Sequence, residues 1–270
     1  MSKSLIVILA LALGTAFAAP AFAFDTIHLN TEKSNSIEGW YGRVDSSAKG
    51  TVILLHGYSS NKGQVLDEAA AFKNWGYHVM LLDTRNHGNS GGNITTFGYR
   101  ESEEVKLAYD HIKQRGEKNI FLWGTSMGAV AIMKAISEYK LEPSGIIIEM
   151  PFLSLQSHLK GRARTLGFPV QPFGFLTTFW IGVERGFNGL GFKLTRYTRN
   201  IHCPVLQQYG EKDEWVLKSE TEAIFNSIAS SDKNLVGYQD ALHESFLRKD
   251  PAVWRREVES FLQKASKPIF

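Results

Sequence analysis

The sequence predicts one α/β domain whose sheet is parallel and covered by helices. Three observations carry that reading. Strand-like and helix-like segments alternate along most of the chain, the order that gives right-handed crossovers. Several strand candidates are continuous apolar runs, such as Val52-Ile53-Leu54-Leu55 and Ile146-Ile147-Ile148, which suit strands buried on both faces. The 270 residues, 43% hydrophobic and 21% charged, suffice for one large core and exclude a disordered, collagen-like or coiled-coil chain.

The elements follow in order. Residues 1–23 read as a secretory leader: Lys3 gives a positive start, residues 5–18 are uncharged and almost wholly apolar, and Ala21-Phe22-Ala23 fits a small-x-small cleavage site. The mature chain would then begin at Phe24, and an uncleaved N-terminal anchor is the other reading. Strands are expected at 26–30 and 39–44, then at 51–56 on the first apolar run. A helix at 62–75 leads to a strand at 78–83. The helix at 101–115 carries Val105, Ala108, Tyr109 and Ile112 at three- and four-residue spacing, an apolar stripe. Ile120-Phe121-Leu122-Trp123 opens a strand at 120–124, a helix follows at 127–139, and a strand is expected at 145–150. Residues 151–204 break the rhythm: they hold no clear strand and are rich in Phe, Gly, Pro and Arg, so a small cap of short helices is expected there. Strands at 205–209 and 235–238 and helices at 219–227 and 251–264 complete residues 24–270.

Charge and cysteine content narrow the function classes. The net charge of +3 leaves no chain-wide basic footprint for nucleic acid. Cys203 is the sole cysteine, so no intramolecular disulfide, zinc ribbon or thiolate cluster can form. Export without a disulfide suits a bacterial periplasm or the medium.

Gly124-Thr125-Ser126-Met127-Gly128 has the form G-x-S-x-G, set between an apolar strand and a helix. That context holds a serine on a tight turn at the carboxyl end of the sheet, with helix N–H groups behind it. A serine hydroxyl needs a base to take its proton. Of eight histidines, His243 alone follows the last strand and precedes the last helix, at the edge where Ser126 sits. The acid that orients it is expected between the two in sequence. Asp213, after the strand at 205–209, is the first choice, and Glu149, ending the strand at 145–150, is the rival. Oxyanion donors are expected from the Met127 N–H and, in the loop after strand 51–56, from the Tyr58 N–H.

Together these pieces resemble the α/β-hydrolase superfamily. The His56-Gly57 loop, the GTSMG turn, the Gly210–Asp213 segment and His243 occur in that family's order. The segment from Asp83 to Gly92 is similar to the family's D-x-R-G-x-G-x-S loop, with Asn86 in place of the first glycine. Glu149-Met150-Pro151-Phe152 resembles a motif of the branch that groups serine aminopeptidases with lysophospholipases. The resemblance implies a mostly parallel eight-stranded sheet flanked by helices, a Ser126–Asp213–His243 triad, a covalent acyl-enzyme, and no cofactor or metal. Hydrolysis of carboxylic esters, lipid-like esters and thioesters included, is expected. Amide or peptide cleavage and a non-catalytic binding role are the alternatives.

The cap raises a separate question. Residues 151–200 carry a net +6, against −4 for the rest of the chain from Phe24 onward. They also hold Phe168, Val170, Phe173, Phe175, Leu176, Phe179, Trp180 and Ile181. A basic, aromatic cap suits an anionic lipid surface or an acyl substrate with a negative head. Alternatively, the aromatics pack inward and the arginines are solvated.

Overall fold

The computed structural model describes residues 23–32, 35–45 and 47–266. The expected leader lies outside the described residues apart from Ala23. Two strands open the fold, β1 (Asp25–Asn30) and β2 (Ser36–Gly42). β3 (Thr51–Leu55) leads through a 3-10 turn (Lys62–Val65) into α1 (Leu66–Asn74) and β4 (His78–Leu82). Next come α2 (Ser102–Gln114), β5 (Ile120–Thr125), α3 (Met127–Tyr139) and β6 (Gly145–Glu149). Three helices then interrupt the alternation: α4 (Leu155–Thr165), α5 (Phe173–Glu184) and α6 (Thr195–Thr198). β7 (Val205–Gly210), α7 (Lys218–Ser227), β8 (Lys233–Tyr238), α8 (Phe246–Lys249) and α9 (Pro251–Ala265) close the chain.

The sheet has eight strands in the order β1-β2-β4-β3-β5-β6-β7-β8. β2 pairs antiparallel with both β1 and β4, and every other pairing is parallel. Alternate side chains of one strand feed two cores. From β3, Ile53 and Leu55 join Val105, Ala108 and Ile112 of α2 and Ala129, Ile132 and Ile136 of α3. Val52 and Leu54 point the other way, to Phe72 of α1 and to Trp254, Val258 and Leu262 of α9. Burial on both faces is why β3 and β6 read as unbroken apolar runs.

The boundaries move where pairing or capping overrides the local pattern. β2 starts at Ser36, earlier than expected, because Ser36 pairs with Asn30 and Ile37 with Leu29. β8 starts at Lys233, since parallel pairing with Val205 recruits a polar edge residue that no apolar run announces. The first helix divides because the Asn61 side chain accepts from the Gly63 N–H at 2.9 Å and sets the 3-10 turn. The short α8, capped by Ser245, carries no periodic signal of its own.

In the stretch 151–204, α4 packs along α5, and α6 packs on α3 and α7. Gly161 lets α4 lie directly on the Trp215 main chain, where a Cβ would collide. Several large apolar residues here do not pack inward: Phe168, Phe175, Leu176, Phe179 and Trp180 are all exposed. Among the described residues, no helix is long and apolar enough to cross a membrane.

Candidate active site

The strand order reverses around β3, because the chain leaves it toward β4 and returns to its other side as β5. A crevice opens at the carboxyl ends of strands at such a point. Ser126 sits there, between β5 and α3, with φ 50° and ψ −113°. An L-residue pays for a positive φ unless its surroundings enforce it. They do so here: the Ser126 N–H donates to the Glu149 carbonyl at 2.8 Å, and its carbonyl accepts from the Val130 N–H at 3.1 Å. The motif glycines make the turn sterically feasible. A Cβ on Gly128 would stand 2.5 Å from the Leu55 carbonyl oxygen, and one on Gly124 would stand 2.7 Å from Ile132 Cδ1.

His243 follows β8 and Asp213 follows β7, and the two meet. His243 Nδ1 lies 2.7 Å from Asp213 Oδ2. Asp213 is itself fixed, because Oδ1 accepts from the Trp215 N–H at 2.7 Å and the Val216 N–H at 3.0 Å. A carboxylate oxygen accepts, so this contact favours the imidazole tautomer with its proton on Nδ1 and its lone pair on Nε2. Ser126 and His243 both line one cavity of about 410 Å³. Among the described residues no hydrogen bond joins their side chains, and such contacts commonly tighten only when substrate binds.

Glu149 is placed differently. Its Oε1 accepts from the indole N–H groups of Trp123, at 3.1 Å, and Trp254, at 2.7 Å. Burial pushes its carboxyl up to about 8, and the nearby Glu68 adds to the rise. Both glutamates line the cavity, with Glu68 Oε1 accepting from Ser245 Oγ at 2.7 Å.

The loop after β3 packs directly on the serine: a Cβ on Gly57 would touch Ser126 Cβ at 3.5 Å. Among the described residues, no acceptor is hydrogen-bonded to the main-chain N–H of Tyr58 or of Met127. The loop itself is braced. Burial holds His56 neutral, its titration pushed down to about 4. Its Nδ1–H donates to the Gly57 carbonyl at 2.7 Å, and its Nε2 accepts from the Thr84 N–H at 3.1 Å. The Ser59 N–H donates to His87 Nε2 at 3.2 Å. Asp83 pairs with Lys62 Nζ and accepts from the Lys62 N–H at 2.7 Å. Asn86, where the resembled loop has glycine, has φ 59°. Asparagine is among the few side chains that tolerate that region, so the substitution preserves the turn.

Among the cavity residues that the sequence did not assign to the site are Trp215, Arg162 and His158. Trp215 lays its ring on His243, centroids 4.7 Å apart, and the Arg162 guanidinium sits 4.2 Å above the Trp215 ring. His158 is buried between Phe97 and Phe152, and burial, with His243 and Arg162 nearby, drives its titration down to about 3. Only Trp215 had a local cue, two residues past Asp213; the other two arrive on α4 through packing. Among the described residues no group of three or more His, Cys, Asp or Glu side chains could hold a metal ion.

Residues 46–183 match the family model "Serine aminopeptidase, S33". The lysophosphatidylserine lipase ABHD12 of Danio rerio is 26% identical over 206 residues, 74% of this chain and 52% of that protein. The uncharacterized protein YqkD of Bacillus subtilis (strain 168) is 26% identical over 216 residues, 78% of this chain and 70% of that protein. The chain thus spans about half the length of the ABHD12 relatives it matches. Among solved structures, the Pyrococcus furiosus esterase Pf2001 superposes with a TM-score of 0.75 at 25% identity, over 98% of this chain and 99% of that chain.

Proposed function

The chain belongs to the serine aminopeptidase S33 family within the α/β-hydrolase superfamily, and we propose that it is an exported serine hydrolase that cleaves carboxylic esters through an acyl-enzyme on Ser126. One observation carries the reading: a serine held at positive φ on a strand–helix turn shares a cavity with an imidazole already hydrogen-bonded to Asp213. In the proposed mechanism, His243 Nε2 takes the Ser126 hydroxyl proton as the oxygen attacks the substrate carbonyl. The carbonyl oxygen becomes an oxyanion held by the Met127 and Tyr58 N–H groups. His243 then protonates the departing alkoxide, leaving an ester on Ser126. Water enters, gives its proton to His243 and attacks that ester, and the acid leaves as Ser126 regains its hydrogen. Asp213 holds the imidazole in the required tautomer and stabilises its charged form.

Glu149 fits a structural part better than the acid's part, since two tryptophan N–H groups already engage its oxygen. The esterase neighbour and the lipase relatives favour ester substrates, lipid-like ones included. The family's aminopeptidase description favours a second reading, amide or peptide cleavage by the same groups. The leader at 1–23 supports placement in a periplasm or outside the cell. The test is labelling of the purified protein with a fluorophosphonate, followed by a panel of paired ester and aminoacyl-amide substrates. Modification at Ser126 with ester turnover is expected. No labelling by the probe would leave a non-catalytic binding role, and faster amide turnover would favour the peptidase.

A further inference from the structure

Helix α5 is built inside out. Its sequence, FGFLTTFWIGVE, is apolar almost all round, which ordinarily marks a buried helix. Yet its fully buried residues are small: Gly174, Thr178 and Gly182, at i, i+4 and i+8, with Gly182 meeting Gly189 of the following loop, while Ile181 is half-buried against the core. The residues it turns outward are large. Phe175 is 47% exposed, Leu176 48%, Phe179 46%, Trp180 64% and Val183 57%, and at 1, 2, 5, 6 and 9 residues past Gly174 they form a continuous face. Leu166 and Phe168, just before α5 in the chain, are exposed as well. Of the ten large apolar residues exposed on the described chain, these are seven.

We propose that this face docks on a lipid surface bearing negative charge. A patch of this kind is rare on a monomer without a partner. The charge of the segment selects the partner: residues 151–200 carry +6, and Arg164 is exposed two residues before Leu166. A second copy would bring an equally positive segment and be repelled, whereas anionic headgroups are attracted. An amphipathic element with apolar groups in the acyl boundary and cations at the headgroups gains from both. α5 packs on α4, whose His158 and Arg162 line the cavity that holds Ser126. Docking itself does not depend on the catalytic reading.

The test uses the purified protein and vesicles of phosphatidylcholine alone or mixed with phosphatidylglycerol. At low salt the protein should sediment with the mixed vesicles on the order of tenfold more than with the neutral ones. Raising the salt should narrow that ratio, since screening acts within about 10 Å at 0.1 M. Phe179→Glu with Trp180→Glu should abolish the difference while leaving turnover of a water-soluble short-chain ester unchanged. A local readout keeps other lipid-binding segments apart: lipids with brominated acyl chains should quench wild-type fluorescence more than that of Trp180→Phe. Equal sedimentation on both vesicles at low salt would overturn the proposal, as would identical quenching in wild type and Trp180→Phe. So would a stable dimer in solution that the double variant dissociates. Loss of ester turnover by wild type itself would count against the proposed function and leave the docking result standing.

Discussion

The turn that carries Ser126 and the helix α5 use similar residues to opposite ends. Around the turn, β5 and α3 are buried almost without exception, from Ile120 through Ile136. On α5 Phe175, Leu176, Phe179, Trp180 and Val183 face solvent, while Gly174, Thr178 and Gly182 face the protein. In the first region each apolar group contributes to folding by leaving water, at roughly 25 cal/mol per Å² buried. In the second, little of that gain is collected within the chain. An apolar residue is therefore evidence about folding only after its direction is known, and an outward-facing cluster is evidence about what the surface meets.

The largest effect is expected at the turn. Ser126→Ala should lower kcat on the order of 10⁶-fold in a protein with an unchanged melting profile, read by ester hydrolysis and circular dichroism. Near-wild-type turnover would sever the turn's geometry from any catalytic purpose. Asp213→Asn should follow, with a loss on the order of 10⁴-fold, because the amide favours the wrong imidazole tautomer. Glu149→Gln, measured beside it, should change kcat only several-fold, since its oxygen can still accept from both indoles. Reversal of that ranking would transfer the orienting role to Glu149.

Stability should separate the two regions as sharply as activity does. Gly128→Val forces atoms against the Leu55 carbonyl and should cost more than about 4 kcal/mol, or prevent folding. Trp180→Ser, on the exposed face, should stay within about 0.5 kcal/mol of wild type in urea unfolding. A large loss from Trp180→Ser would mean that the face packs on something within the chain after all.

A further predicted effect is a change in the pH dependence of stability. In the folded protein Glu149 stays protonated up to about 8, whereas in the unfolded chain its carboxyl ionises near 4.5. Stability from this group is present below the unfolded value and is lost as pH rises from 4.5 toward 8. Glu149→Gln removes the titration. Its melting temperature relative to wild type should therefore climb across that window and level off above it. A constant offset from pH 4.5 to 8 would show that Glu149 is ionised in the fold.

Much of the site can be read without the fold because the chemistry imposes order on the chain. A serine nucleophile needs glycines at fixed offsets and a strand before it, and Gly124 to Gly128 display both. His243 could be singled out because one histidine alone stands between the last strand and the last helix. Position in the chain ranked Asp213 over Glu149 without settling the choice. Glu149 ends β6 and Asp213 follows β7 at the same edge, and direction decides between them: Asp213 turns to His243 while Glu149 turns into two tryptophans from β5 and α9.

The alternation of apolar runs and helical stripes determined an α/β fold, since buried parallel strands must be apolar on both faces and their helices on one. Local glycine, serine and histidine placement determined which loops meet at the sheet's carboxyl edge. Only the tertiary structure decided the antiparallel start of β2, the polar edge strand β8, and the arrival of Arg162 and His158 over the cavity, because each depends on a pairing or packing partner that the local pattern does not announce. It alone decided the direction of α5. A helix of phenylalanine, leucine, tryptophan and glycine can bury either face. The close approach of Gly174, Thr178 and Gly182 to the body of the protein left Phe175, Leu176, Phe179, Trp180 and Val183 outside.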